Sequence, residues 1–492
     1  YGGGAFGGKE DVSIQIVLAL AAWRLRKPVK LVWEREESII GHHKRHPYII
    51  RAKWGATHSG RLTAIQMEML SDAGAYASSS REVLNNATAM CTGPYECEHV
   101  WVDSRAVYTN NPTCGAFRGF GAPQVEFAAE MQMNKLAQAL GIDPIEFRRQ
   151  NVWRDGSIQA TGARVPQPVG VLNVIESAAQ AADWSAKLRE KKNLSRTTSV
   201  KKRGYGVAIG FKNIGYGFGF DERCAMTLEL HGEQEIEKVV VRAAASDAGQ
   251  GAHTVLAQFA ADALDVSLEK IQLITGDTAV AAETGSCSAS RLVFVMGNAV
   301  LETAKLAKKQ WESTSERPVI LTHRYRPRRT TPLHPETGVG DPAISYCYAA
   351  QIAEVEVDTE TGHITILNWL SALDVGKAVN PQQLVGQIEG GAAQGLGWAT
   401  VEHFVMKEGY VMTPNFTLYL IPTVLDVPET MKTVMLENPD PQGPLGARGI
   451  GEMGLIPAAP ALVSAVFDAT GIWFDQLPLT PERILMGLSK II

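Results

Sequence analysis

Apolar residues at Ile14, Val17, Leu18 and Ala21 recur at helical spacing behind Asp11, which is placed to cap a helix, and the pattern stops at the basic run Arg24-Leu25-Arg26-Lys27-Pro28. Residues 29–33 and 48–54 read as strands, and His58-Ser59-Gly60-Arg61 reads as the turn before a strand at 62–69. A helix is expected over 124–140, closed by Gly141, and a second over 144–151. Further along, strands are expected near 224–230 and 236–243, a helix at 253–264, a β-rich stretch at 348–370, and helices at 383–398 and 458–469. Two polar segments interrupt the pattern. Residues 187–203 are basic and nearly free of aromatics, which suits a surface connection between a first domain at 1–186 and a second at 204–492. Residues 316–341 hold Arg324, Arg326, Arg328, Arg329 and several prolines, and read as a long loop. The alternation indicates an α/β or α+β core with no tandem repeat.

Composition narrows the function classes. The 492 residues carry a formal charge of −5 and are 45% hydrophobic, which fits a globular chain and argues against a nucleic-acid binder needing a dense basic face. The longest uninterrupted apolar run, residues 16–23, is far short of the roughly 20 residues a membrane helix needs. Six cysteines without CxxC spacing exclude a self-contained zinc ribbon or cysteine-ligated iron–sulfur cluster, and suggest reduced thiols in the cytoplasm. The chain opens inside a glycine-rich loop, so a preceding part is expected, either on a longer parent or on another polypeptide.

The glycines cluster where chemistry is expected. Gly2, Gly4 and Gly7 satisfy GxGxxG before a helix, and Glu34 follows at a distance that mimics a dinucleotide fingerprint. A tight packing turn is the bland alternative. Three more clusters, at 248–253, 283–291 and 390–397, combine glycines with Gln250, Ser290 and Gln394, and one large acceptor-rich ligand would explain them together. Glu452 stands alone among the glycines of residues 446–454 in an apolar stretch, a setting for a general base, with helix capping as the alternative. Arg118 and Phe120 occupy a glycine-lined loop, Arg118 suited to an anion and Phe120 to a flat ring. Tyr216, Phe218 and Phe220 alternate with glycine, as a planar wall or as an aromatic stripe in a strand. His42, His43 and His46 sit in a basic context without a carboxylate, which favours a surface or packing role over a metal site.

The motifs GGGAFGGKED, CGAFRGFGAPQ, DAGQGAHT, ETGSCSASR, GQIEGGAAQGLG and GIGEMG, in this order over nearly the whole chain, resemble the molybdopterin-binding subunit of the xanthine dehydrogenase family of molybdenum hydroxylases. The resemblance implies an α+β fold of two elongated mixed domains with molybdopterin between them, in its cytosine dinucleotide form, and molybdenum held through the pterin dithiolene with no direct protein ligand. It implies Glu452 as the general base of a hydroxylation that takes its oxygen from water. Glu10 matches a second carboxylate that hydrogen-bonds purine-like substrates, Phe120 one of two rings flanking the heterocycle, and Tyr216 the nearest candidate for the other. Phe6, Gly7 and Arg118 fall where the family's chain approaches the metal, and Gly249, Gln250, Ser290 and Gln394 fall on pterin or dinucleotide contacts.

Two features depart from the family pattern. The family's glutamine beside the metal lies upstream of the glycine loop and outside this sequence. Mammalian-type xanthine enzymes also place a substrate arginine nine residues before the Tyr of a GPY-like segment; here Asn86 stands nine before Tyr95, so hydroxylase chemistry carries over and xanthine specificity does not. The resemblance further implies partner subunits bearing a [2Fe–2S] cluster and FAD, and a further chain supplying the N-terminal part. A purine or a nicotinate-like ring is the expected substrate, with aldehyde oxidation the alternative within the family. Carbon monoxide oxidation is disfavoured, because CGAFRGFG lacks the cysteine-bearing AYRCSFR loop. From another class, a nicotinamide-binding dehydrogenase would rest on GxGxxG alone.

Overall fold

The computed structural model describes residues 3–194 and 199–489. Tyr48–Ala56 turns at Gly60 into Leu62–Gly74, its antiparallel neighbour, and Leu62–Gly74 pairs in parallel with His99–Tyr108. A four-stranded sheet runs Met431–Leu436, Ile364–Asp374, Ser345–Asp358, Lys201–Ile214. A second one runs Ile271–Ile274, Lys238–Arg242, Cys224–His231, Val319–Tyr325. Helices cover these sheets, so helix and strand are mixed in open layers and no closed barrel forms among the described residues.

The strand Lys201–Ile214 and the helix Ala458–Thr470 set the frame for the site. From Gly204 onward every residue of that strand is buried, and the first nine residues of the helix are buried too. They meet at backbone distance because small residues face one another. A Cβ added to Gly204 would lie 2.1 Å from the Ala465 carbonyl oxygen, and one added to Gly206 would lie 2.1 Å from that of Ala461. Such close packing fixes the approach to the helix, and hence the Glu452 loop just before it.

Several expectations need correcting. Residues 29–33 form no strand; Glu34 instead caps the helix Arg35–Gly41 in a reciprocal capping box with Glu37. The helix Ser13–Leu25 forms, yet Asp11 does not cap it: its carboxylate accepts from Ser78 at 2.8 Å and faces His43 at 3.2 Å. The segment 187–203 is less irregular than its charge suggested, since Trp184–Leu194 is helical and the strand resumes at Lys201; its residues 195–198 lie outside the described residues. The expected loop at 316–341 contains the strand Val319–Tyr325, paired with Cys224–His231. Residues 453–470 have the length and mean hydropathy of a membrane span, which the run-length criterion missed because Gly, Pro and Ser interrupt the stretch. They are 78% buried in the core.

One surface is unusually apolar. The helix Ser13–Leu25 buries none of its residues, and Ile16, Val17, Leu20, Trp23 and Leu25 are each more than half exposed. Phe416, Leu418, Leu420 and Leu425 are exposed as well, with Arg35 lying over the Phe416 ring at 4.8 Å.

Candidate functional site

The motif loops meet through hydrogen bonds between segments far apart in sequence. Gly4 N–H donates to the Ala248 carbonyl at 3.0 Å, and Arg118 N–H donates to that of Phe6 at 2.8 Å. Gly7 lies so close to the second loop that a Cβ would fall 2.5 Å from the Ala116 carbonyl oxygen, and its φ of +103° excludes other residues on strain alone. Phe6 itself has φ +52° and is half exposed. Gly2 of the GxGxxG pattern lies outside the described residues.

Arg118 ties the loops together. Its guanidinium donates to Gly451 O at 2.7 Å, to Gln394 Oε1 at 2.9 Å and to Gln387 O at 3.0 Å. All three nitrogens are committed to protein, so this side chain acts as a clamp here and presents no free fork to a substrate anion. Gln394 is correspondingly aimed by Arg118. The histidines serve the same end: His43 Nε2 lies 3.0 Å from Gly7 O and 2.8 Å from Ala116 O, and His42 Nδ1 lies 2.9 Å from Gly8 O. They fasten the glycine loop, in line with the packing role expected of them.

Glu452 sits at the centre. The capping alternative fails, because its carboxylate caps no helix. Oε1 accepts from the Gly119 N–H at 3.1 Å, Oε2 accepts from the Ser290 hydroxyl at 2.9 Å, and the Lys212 ammonium lies 3.6 Å from Oε2. Ser290 therefore serves the carboxylate rather than standing free for a ligand. Ala289 and Ser290 both hold φ of +52°, a conformation L-residues seldom adopt, and this delivers the hydroxyl to Glu452. The carboxylate remains 12% exposed, which leaves it reachable.

Glu10 approaches Glu452 from the glycine loop at an exposed position. Its carboxyl is pushed up to about 7, first by desolvation and then by the charges of Glu452 and Asp11, against a hydrogen bond from Ser288. Two carboxylates in one cleft with unequal surroundings can divide acid and base roles.

The aromatic candidates make separate contacts. Phe120 has φ +50°, and its carbonyl accepts from Asn86 Nδ2 at 2.8 Å, so the residue at the family's arginine position buttresses the ring's backbone. Tyr216 lies in a turn beyond the strand Lys201–Ile214, not in a stripe within it. Its ring meets Phe220 edge-on at 4.7 Å, its hydroxyl reaches Ser286 at 2.5 Å, and the Arg291 guanidinium stands 5.0 Å from the ring centre.

The remaining predicted contacts line an open face. Gly249, Gly386 and Gly390 would each place a Cβ with nothing within 4 Å. On the helix Pro381–Thr400, residues 383, 386, 387, 390 and 394 fall on one side, so amide side chains flank the two glycines. The Gln383 Oε1 is buried without a partner, an acceptor that a bound ligand can satisfy. This donor and acceptor set suits a large, flat, heteroatom-rich group such as a pterin. Gln250 is engaged locally, accepting from Ala248 N–H at 2.7 Å and donating to Ser246 O at 2.9 Å. The loop's amides are already spoken for: Asp247 accepts from the N–H groups of Gly249, Gly251 and His253, so a pyrophosphate at that helix start would meet a resident carboxylate. The nicotinamide reading loses its acid as well, because Glu34 is engaged in its capping box.

Sequence reasoning missed Lys212. Its signal was a single cation in the run 207–214, where Asn213 is the other polar residue.

Comparison with known proteins agrees with this architecture. The Molybdopterin cofactor-binding domain family matches residues 1–152 in one form and residues 177–318 and 304–428 in a second. A Bacillus subtilis (strain 168) protein, named as a probable xanthine dehydrogenase subunit, is 33% identical over 99% of this chain and 68% of its own length. The nicotinate dehydrogenase large molybdopterin subunit of Eubacterium barkeri is 49% identical over 37% of this chain and 42% of its own length. The solved aldehyde oxidoreductase of Desulfovibrio gigas superposes with a TM-score of 0.89 at 29% identity, covering 99% of this chain and 54% of that one. The chain thus spans between about half and two thirds of the length of full-chain relatives.

Proposed function

The chain belongs to the molybdopterin cofactor-binding family that includes xanthine dehydrogenase molybdenum subunits, and from that premise we propose that it is the catalytic part of a molybdenum hydroxylase acting on an N-heteroaromatic ring, purine-like or nicotinate-like. The observation that carries the proposal is the placement of Glu452: fixed by Gly119, Ser290 and Lys212, yet open to the cleft that Glu10 shares.

When bound, the molybdenum centre supplies a two-electron acceptor and the site at which a water-derived oxygen is transferred. Everything else falls to this chain. The open faces of Gly249, Gly386 and Gly390, with Gln383, Gln387 and Gln394, would hold the pterin, and its cytosine dinucleotide form is proposed from the family resemblance. Glu452 takes the proton from the attacking oxygen at its carboxylate. Glu10, neutral below about pH 7, donates a hydrogen bond to a ring nitrogen or carbonyl of the substrate. Phe120 and Tyr216 flank the ring. Phe6, Gly7 and Arg118 shape the wall against which the reacting carbon is presented, Arg118 through the loops it clamps.

Two electrons must leave singly, and partner subunits bearing a [2Fe–2S] cluster and FAD are the proposed route. The exposed apolar faces of Ser13–Leu25 and around Phe416 support contact with a partner subunit. The complex is placed in the cytoplasm. Aldehyde oxidation is the second reading, favoured by the structural match to an aldehyde oxidoreductase. Metal analysis tests the proposal: the complex purified from a host competent in molybdopterin synthesis is expected to hold about one molybdenum per chain. A complex devoid of molybdenum, with a separate metal or nicotinamide in its place, contradicts it.

A further inference from the structure

We infer that Lys212 is the positioning residue for Glu452, supplying its buried counter-charge and fixing the carboxylate's orientation; this rests on the hydroxylase reading above. The strand Lys201–Ile214 is buried without interruption over its last eleven residues, and Lys212 is the one cation in that stretch. Its side chain is 2% exposed. A lysine at such a depth is rare, and its ammonium needs acceptors and a counter-ion. It finds Oε2 of Glu452 at 3.6 Å, and donates to the side-chain carbonyl of Asn213, whose own amide donates to Gly215 O at 3.0 Å. Asn213 thus joins Lys212 to the turn that carries Tyr216.

The other charges around Glu452 cannot take this part. Arg118 faces it from the loop at 117–120, but its nitrogens are committed to Gly451, Gln387 and Gln394. Arg45 acts from farther back, behind Phe117, with Glu402 as its larger electrostatic partner. Glu10 opposes from the glycine loop. On the neighbouring strand the Cys347 thiol is held neutral, pushed up to about 12 by burial. Behind Lys212, Glu126 of the helix Ala122–Leu140 is buried, its carboxyl raised well above the usual range by desolvation, and accepts from the Phe211 N–H at 3.1 Å. Among the described residues, Glu452 is the carboxylate within 4 Å of the Lys212 ammonium. Lys212 therefore separates the two cleft carboxylates: one is given a cation beneath the floor, the other is not.

The test uses the molybdenum-loaded complex and the variants Lys212→Met and Lys212→Arg. In Lys212→Met the acidic limb of the kcat/KM profile is expected to move to higher pH by about 1–3 units, the range for loss of a close opposite charge. Activity should recover toward wild type on the alkaline side, and Lys212→Arg should keep the limb near its original place. A folded, loaded Lys212→Met complex with an unmoved limb overturns the assignment, since a merely structural lysine would lower activity evenly across pH. If Lys212→Met does not fold, difference infrared spectra of wild type against Glu452→Gln decide. A carboxylate band with no protonated carboxyl band between pH 6 and 8 supports the pair, and a protonated band assigned to Glu452 overturns it. A loaded wild-type complex that turns over no substrate would defeat the hydroxylase reading while the infrared result still judges the ion pair.

Discussion

The glycine loop at residues 3–11 and the glycine loop at 446–454 each deliver one carboxylate to the same cleft, but their surroundings differ. Glu452 comes off the buried layer, has two hydrogen-bond donors and lies 3.6 Å from a lysine sealed beneath it. Glu10 comes off an exposed loop, and desolvation together with the charges of Glu452 and Asp11 pushes its carboxyl up to about 7. In the proposed mechanism these identical side chains take opposite tasks, set by elements distant in sequence. The strand at 201–214 sets a cation beside one carboxylate, and the other stands at the open rim beside two acidic neighbours.

The comparison breaks most sharply at Glu452. Glu452→Gln keeps the shape and the Gly119 and Ser290 contacts in reach but removes the base, and kcat is expected to fall by at least about a hundredfold with molybdenum content unchanged. Turnover at the wild-type level would place the base elsewhere. A smaller effect is expected at Glu10, and its sign depends on pH. An acid whose folded value is raised is neutral at low pH and loses its donor as pH climbs through about 7, so KM for a heteroaromatic substrate should rise from pH 6 to pH 8 in the wild type. Glu10→Gln, which keeps an N–H donor at every pH, should flatten that rise and leave kcat within a few fold. An unchanged pH slope in the variant would remove Glu10 from substrate binding.

Much of the candidate site was legible because the motif segments are the ones the fold brings together. Glu452, Glu10 and Phe120 stand in glycine-rich loops, and Gln394 on a glycine-rich helix, whose composition departs from ordinary core or surface. What could not be read was how the loops use one another. Ser290 has a hydroxyl that sequence alone assigns to any acceptor, and only the folded chain shows it on Glu452. Arg118 reads as an anion receptor until its three partners, all more than 260 residues away, are seen to consume it.

The fold shows the same limit. The helices Ser13–Leu25 and Ala458–Thr470 have the same length and similarly apolar sequences, yet the first buries nothing and the second is nearly all core. Hydrophobic pattern specifies an apolar helix and is silent on what covers it. Residues 29–33 fail as a strand for a related reason: β-prone residues need a neighbouring strand, and none among the described residues is placed beside them.

The origin of the oxygen transferred to substrate tests the whole account most directly. The molybdenum-loaded complex, turning over its preferred heterocycle in 18O-labelled water under unlabelled dioxygen, is predicted to give product carrying the label. Product whose new oxygen derives from dioxygen would contradict it.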